Sequence, residues 1–273
     1  MQLVKQVQQD ETRLSGLRIH KANLKEVANM QVLISPVSYE ESASIVDTGV
    51  DIIDVKNVNE GSLGAQFPWH TRKVVELTRP VGVKTSATLG DLPFKPGTAA
   101  LAAYGAAVCG VTYIKAGLHG TTTYEQAFEV MDAVRQAVRM VGNDIDVVAA
   151  GYADYRRFNG LNPSDLVRAA RDSCSDLVMV DTAIKDGKTL FDAMSVEEMG
   201  EFIADAHRAG LRVALAGSIK AEHIPVLVDL APDIVGVRGA VCEGIDRKTR
   251  ISPEKTRRFV EHVHAASRKS QLA

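Results

Sequence analysis

Eight short apolar runs punctuate the chain from Met30 onward, and a stretch of helical character follows each one. The runs are Val32–Ser35, Asp51–Lys56, Val83–Leu89, Tyr113–Leu118, Asp146–Gly151, Leu177–Asp181, Arg212–Ala216 and Ile234–Val237. Several are apolar at nearly every position instead of every second one, the pattern of parallel strands covered on both faces. The segments between them carry helix punctuation. Asn162-Pro163 and Ser252-Pro253 each set a capping side chain before a proline at the first helical position. Ser195 with Glu198 three residues on fits a capping box, and Gly210 stops that helix. Eight strand-then-helix units in about 240 residues predict a single closed α/β barrel, a (β/α)8 TIM barrel. The alternative, an open doubly wound sheet, usually shows a glycine fingerprint after its first strand, whereas here that strand runs into Ser35-Pro36-Val37-Ser38. Residues 1–29 fall outside the pattern. They are polar, with Leu3, Val7, Leu14 and Leu17 at loosely helical spacing, and read as a helical or disordered extension to a barrel domain over 30–273.

Composition narrows the classes. A formal charge of −2 gives no general attraction to nucleic acid or to anionic membranes, so phosphate recognition has to come from a local site. Cys109, Cys174 and Cys242 are too few and too scattered for a disulfide framework and form no CxxC pair, which disfavours structural zinc. They read as reduced thiols, mostly packing as small hydrophobes. The apolar runs stop well short of the roughly 20 residues a membrane span needs. Charged and polar residues recur from Lys5 to Arg18, so no signal-peptide core is present there. The expectation is a cytoplasmic protein with no nucleic-acid or membrane partner; homo-oligomerisation stays open.

In this fold the chemistry sits at the C-terminal ends of the strands. Those places are rich in polar residues: Asp54 and Lys56 on the second, Thr85, Ser86 and Thr88 on the third, and Lys115 on the fourth. Tyr152 and Asp154 follow the fifth, Asp181, Thr182 and Lys185 the sixth, Gly217 and Ser218 the seventh, Arg238 and Gly239 the eighth. Asp54 and Lys56 are two apart and share a strand face. Turned toward the helix layer they would bury two charges in apolar packing, at several kcal/mol per ion; turned inward they meet the barrel mouth. A salt bridge that merely plugs the barrel is the competing reading. Lys56, Lys115 and Lys185 all come from even-numbered strands, whose side chains share layers, so their ammonium groups are expected to converge. Two like charges about 4 Å apart at an effective dielectric near 20 repel by roughly 4 kcal/mol, about three pK units. A lysine shifted that far is substantially neutral at pH 7 and attacks a carbonyl. Asp54 and Asp181 oppose the shift and are candidate proton shuttles.

Small residues after strands seven and eight suit a phosphate. Gly217, Ser218 and Gly239 expose backbone N–H groups, and Arg238 adds a charged fork. Tight turns alone would also explain the glycines. Ser86 and His119 stand where they can touch a substrate. Gly187-Lys188-Thr189 ends like a nucleotide-binding loop, but the earlier glycine it needs is Thr182. His70, His119 and His207 lack metal-ligand spacing. Trp69, at a predicted helix start, reads as an interface or core anchor, and Cys242 as a packing residue.

Several blocks resemble one family. They are Ile34-Ser35-Pro36, Asp51-Ile52-Ile53-Asp54-Val55-Lys56-Asn57, Glu60-Gly61-Ser62-Leu63-Gly64-Ala65, Ser86-Ala87-Thr88-Leu89-Gly90-Asp91, Lys95-Pro96-Gly97-Thr98, Tyr113-Ile114-Lys115 and the run from Asp181 to Asp192. From Met30 to the C-terminal region the chain is similar to the (5-formylfuran-3-yl)methyl phosphate synthases, also called 4-(hydroxymethyl)-2-furancarboxaldehyde phosphate synthases, of methanofuran biosynthesis. The resemblance implies a TIM-barrel lyase that condenses two glyceraldehyde 3-phosphate molecules with loss of phosphate and water. It further implies a Schiff base on Lys56, assisted by Asp54, Lys115, Asp181 and Lys185. The scheme calls for no cofactor and no metal. Gly217, Ser218, Arg238 and Gly239 are expected to hold the retained phosphate, with Lys185 or Lys188 at the departing one. The 29-residue extension and conservative changes such as Leu89 depart from the family pattern. Two other readings remain: a different Schiff-base aldolase of sugar phosphates, and a noncatalytic barrel that binds phosphorylated metabolites.

Overall fold

The computed structural model describes residues 30–244 and 249–272; the expectation for residues 1–29 lies outside them. Eight parallel strands close in sequence order, β1 beside β8. They are β1 (Gln31–Ile34), β2 (Ile52–Val55), β3 (Lys84–Pro93), β4 (Tyr113–Gly120), β5 (Asp146–Tyr152), β6 (Leu177–Asp181), β7 (Arg212–Leu215) and β8 (Ile234–Val237). Around them lie α1 (Tyr39–Ile45), α2 (Pro68–Thr78), α3 (Pro96–Val108), α4 (Tyr124–Arg139), α5 (Pro163–Asp172), α6 (Leu190–Ala193), α7 (Val196–Arg208), α8 (Ile224–Leu230) and α9 (Pro253–Leu272). The TIM barrel expected from the apolar runs is the observed fold. β4 and β5 run slightly past their expected ends, to Gly120 and Tyr152, and β3 runs furthest: Gly90 at φ +115° carries it through two register irregularities to Pro93.

Local chemistry sets the helix boundaries. Ser195 Oγ accepts the Glu198 N–H at 3.1 Å while the Glu198 carboxylate accepts the Ser195 N–H at 2.9 Å, completing the capping box of α7. Asn162 caps α5 through the Asp165 N–H at 2.9 Å, and Ser252 accepts the Lys255 N–H at the start of α9. On α4, Ala127, Val130, Met131, Val134, Ala137 and Val138 form the buried stripe, at the three-and-four spacing of a helix lying on a sheet.

Strand alternation divides the core in two. Val32, Ile34, Ile53, Val55, Ile114, Val178, Val180, Val213 and Val235 pack outward beneath the helices. Leu33, Ile52, Tyr113, Val148, Ala150, Leu177, Met179, Ala214, Ala216 and Ile234 fill the interior as an apolar floor. The base is tied by a device used three times. Asp51, Asp176 and Asp233, each just before an even-numbered strand, accept the N–H of Val32, Val147 and Val213 near the start of the preceding strand, at 2.7, 2.9 and 2.7 Å. These are backbone donors at the barrel's lower edge, where an unpaired N–H is costly. A basic side chain lies against each carboxylate: His264 at 2.9 Å, Arg139 at 3.3 Å and His207 at 2.8 Å.

Candidate active site

Above the apolar floor the inward positions become polar. Asp54 continues the face of Ile52, and Lys56 follows it just past the end of β2. Register places Ser86 beside Asp54, and Lys115 beside Thr88. The inward reading of Asp54 and Lys56 holds. Lys115 Nζ lies 2.6 Å from Asp54 Oδ1, with both side chains almost fully buried. The contact is an ion pair, and the buried Ser86 Oγ lies beside the same carboxylate. Asp54 Oδ2 is fixed separately by the Ser35 hydroxyl at 3.0 Å. Burial pushes the Asp54 carboxyl up, but the Lys115 and Lys56 ammonium groups outweigh it and hold it below the ordinary aspartate value.

A second pair faces the first from β6. Lys185 Nζ donates to Asp181 Oδ1 at 2.7 Å and to Thr182 Oγ1 at 2.9 Å, and the Thr182 N–H donates to the same carboxylate oxygen at 2.7 Å. Burial disfavours the Asp181 anion, yet the charges of Lys185 and Lys56 and these hydrogen bonds bring its pKa down to about 2. The loop bearing Lys185 is braced by Asp154, which accepts the N–H groups of Ala183 and Ile184 at 2.7 and 2.9 Å.

Lys56 lies between the pairs and feels both carboxylates and both other lysines. It is only 6% exposed. Burial is the main reason its pKa falls to about 8; Asp181 and Asp54 oppose that shift more strongly than Lys115 and Lys185 support it. The convergence expected from the strand positions is real. The cause of the shift is different: desolvation dominates, because each neighbouring ammonium has its own carboxylate.

Cover for Lys56 comes from the loop after β2. Leu63 is fully buried and joins the interior cluster from above. The loop is fastened by Ser62 Oγ donating to the Thr182 carbonyl at 2.9 Å and by Thr88 Oγ1 donating to the Gly64 carbonyl at 2.6 Å. Glycine is required twice. A Cβ on Gly61, at φ +135°, would lie 2.1 Å from Asp91 Oδ2, and one on Gly64 would lie 2.1 Å from the Asn57 carbonyl. Asp91 also accepts the Leu63 N–H at 3.3 Å and a short hydrogen bond from the Tyr152 hydroxyl. Burial first, and Asp91 next, push the Tyr152 phenol well above its ordinary value.

The remaining expected residues lie farther out. Gly217 is buried against Thr182, and Ser218 is exposed in a left-handed conformation at φ +50°. Gly239 begins a 3-10 turn over Gly239–Val241. Arg238 is engaged with protein: it pairs with Glu41 at 2.8 Å and donates to the carbonyls of Ser35 and Thr249 at 3.0 and 3.2 Å. Lys188 is exposed on the β6 loop. His119, exposed at the end of β4, stacks on Phe158 at 4.6 Å and meets Tyr152 edge-on. Cys109 and Cys242 are buried as expected; Cys174 is exposed. Sequence reasoning set Tyr152 and Thr182 at the barrel mouth without assigning them a role, and gave Ser35, Leu63 and Asp91 no place in the site. For Ser35 a signal existed, since it stands two residues after the inward-facing Leu33.

Ion-paired lysines and carboxylates at the C-terminal mouth of a closed parallel barrel define an enzyme of the (β/α)8 class. The chain belongs to the 4-HFC-P synthase family, whose sequence model matches residues 32–260. It is 54% identical over 217 residues to the (5-formylfuran-3-yl)methyl phosphate synthase of Methanopyrus kandleri, covering 80% of this chain and 91% of that one. The Methanocaldococcus jannaschii enzyme of the same name is 52% identical over 233 residues, covering 85% and 99%. Among solved structures, KGPDC from Streptococcus mutans superposes with a TM-score of 0.62 at 12% identity, over 87% of this chain and 99% of that one, a likeness of fold alone. No helix among the described residues is long and apolar enough to cross a membrane.

Proposed function

We propose that the chain condenses two molecules of glyceraldehyde 3-phosphate into 4-(hydroxymethyl)-2-furancarboxaldehyde phosphate, releasing one phosphate and two waters, as a cytoplasmic enzyme of methanofuran-type cofactor biosynthesis. The observation that carries the reading is Lys56, an amine with a pKa of about 8 set between two ion-paired carboxylates. The names of the relatives support the same furan phosphate product.

Lys56 Nζ adds to the carbonyl carbon of one triose phosphate, and the carbonyl oxygen leaves as water to give a protonated imine. That cation draws electrons from the neighbouring C–H bond. The proton passes to a carboxylate, Asp54 or Asp181, and the resulting enamine carbon attacks the aldehyde carbon of the second triose, whose oxygen takes up a proton. One phosphate leaves by β-elimination, its charge met by Lys185 or Lys188. Loss of two waters closes and aromatises the furan, and one further water hydrolyses the imine and returns the amine. Backbone N–H groups of Gly217, Ser218 and Gly239 serve the retained phosphate, while Ser86 and His119 contact substrate. Arg238 shapes that corner through Glu41 and Ser35.

Incubation with glyceraldehyde 3-phosphate alone is expected to generate a furan absorbance, and borohydride added with substrate to reduce an adduct onto Lys56, read by peptide mass spectrometry. A trapped adduct without furan absorbance would mark a different aldolase. Trapping on Lys115 or Lys185 would overturn the assignment of the nucleophile.

A further inference from the structure

β3 and β4 keep step as far as Thr88 opposite Lys115, and then lose it: Asp91 comes opposite Gly117, three residues along one strand against two along the other. The extra residue reverses the alternation, so Asp91 faces the lumen where Gly90 otherwise would. Gly90, at φ +115°, allows this. Two strands further round, Tyr152 ends β5 opposite Asp181 on β6 and lies in the interior cluster with Leu63. His119 and Phe158 both meet its ring edge-on, and its hydroxyl donates to Asp91 Oδ1. The room for this comes from Gly117, two residues past Lys115 on the same face of β4. A Cβ there would lie 2.6 Å from Tyr152 Oη and 3.1 Å from Leu63 Cδ1. Phenol, carboxylate and loop therefore meet one layer above Lys115.

Asp91 differs from Asp54 and Asp181. Those two pair with Lys115 and Lys185, whereas among the described residues no cation pairs with Asp91. Its donors are the Tyr152 hydroxyl and the Leu63 N–H, the latter at 3.3 and 3.4 Å from its two oxygens. Burial and the carboxylates of Asp91, Asp181 and Asp154 keep the Tyr152 phenol protonated, so it stays a donor. Leu63 belongs to the loop that folds back on Lys56: the N–H of Asn57, the next residue, donates to the Gly64 carbonyl at 2.9 Å. A half-buried carboxylate without a counter-ion depends on its few donors, and loss of one draws it toward water. Leu63, bonded to the same carboxylate, is drawn with it.

We propose that Tyr152 is a positioning residue for Lys56: through Asp91 and the Leu63 N–H it holds the loop after β2 down over the amine and keeps water from it. The inference rests on the reading of Lys56 as the nucleophile and gives Tyr152 no contact with substrate. The charged groups that face Lys56 are Asp54 on its own strand, Lys115 on β4, and Asp181 and Lys185 at the end of β6. All four stay in place when Tyr152 or Asp91 is changed, so an altered titration of Lys56 reads the loop.

Trace acetylation of Lys56 in the full chain, normalised to a free amine and followed from pH 6 to 11, reads the amine without any triose. Tyr152→Phe changes no charge. It should raise the midpoint from about 8 by about one unit and speed hydrogen exchange at the Leu63 N–H at least about tenfold. Asp91→Ala, at a half-buried position that spares the core, separates the causes by sign. Removing a negative charge lowers the pKa of a nearby ammonium, whereas admitting water raises it; the midpoint should rise. Tyr152→Phe/Asp91→Asn keeps an oxygen for the Leu63 N–H and leaves no anion short of donors, so its midpoint should return to near that of the wild type. Borohydride-trapped adduct at pH 7 should fall about tenfold in the two single variants and recover in the double one. A midpoint unmoved by Tyr152→Phe, or lowered by Asp91→Ala, overturns the proposal. So does a double variant no better than Tyr152→Phe. A wild type that acetylates at the expected midpoint yet forms no adduct sinks the nucleophile instead, and acetylation and exchange still read the latch.

Discussion

If burial and two carboxylates set the reactivity of Lys56, removing its neighbours should move its titration in opposite directions. A pKa of about 8 in place of 10.5 leaves about one amine in ten neutral at pH 7, against about one in three thousand for an ordinary lysine. Lys115→Met removes a repelling charge and frees Asp54 to pair with Lys56, so both consequences favour the ammonium. A unit charge at a separation of roughly 7 Å and an effective dielectric near 20 is worth about 2 kcal/mol, or one to two pK units. The midpoint should rise to between about 9 and 10, and the neutral fraction at pH 7 should fall by at least about tenfold. Asp54→Asn removes an attracting charge and leaves Lys115 unpaired, so its midpoint should fall below that of the wild type. The assay is the rate of borohydride-trapped adduct at Lys56 in a single turnover, followed from pH 6 to 10 and quantified on the Lys56 peptide. A wild-type midpoint at 10.5, or Lys115→Met and Asp54→Asn shifting it the same way, would refute the electrostatic reasoning.

Three further outcomes follow from the same structure. Lys56→Met should abolish trapping yet stabilise the fold: the folded pKa lies below the unfolded one, so at neutral pH the buried ammonium costs roughly 3 kcal/mol. In the wild type that cost is relieved as pH rises from about 8 toward 10.5, so urea melts of variant and wild type should converge across that window. Glu41→Gln should destabilise by about 3–5 kcal/mol, because it removes the buried carboxylate that balances the Arg238 charge; a loss under 1 kcal/mol in urea melts would show that the pair does not brace α1 to the end of β8. Asp233 is pushed up by burial but held below its ordinary value of 3.8 by His207 and the Val213 N–H. Its contribution is present above pH 4 and lost as pH falls through the folded value, so Asp233→Asn should be less stable near neutrality and flatten the acid limb of the stability curve.

All eight strands were legible because parallel strands covered on both faces leave continuous apolar runs, and the capping side chains of α5, α7 and α9 lie within three residues of the N–H groups they satisfy. Asp54, Lys56, Lys115, Asp181 and Lys185 were legible for a related reason: charge at the end of an apolar strand has few places to go but the mouth. Pairings between distant segments were not. Asp91 and Tyr152 are 61 residues apart, and Glu41 and Arg238 are 197 apart. Nothing local in Arg238 separates a phosphate ligand from a brace. Leu63 looked like a loop residue; that its side chain closes the barrel interior depends on Gly61 and Gly64 letting the loop come down. The source of the Lys56 shift was hidden for the same reason, since ion pairing of Lys115 and Lys185 is decided by rotamers and register.

The alternation along β2 makes its chemistry and its alignment inseparable. A slip of a single residue would carry Asp54 and Lys56 into the greasy shell beneath the helices and bring Ile53 and Val55 into the lumen. Each displaced ion would be stranded without its mate, at several kcal/mol apiece, a large part of what holds an ordinary domain together. The groups that would do the reaction thus double as a gauge of strand alignment, and a misthreaded barrel is rejected by the very side chains that would have made it an enzyme.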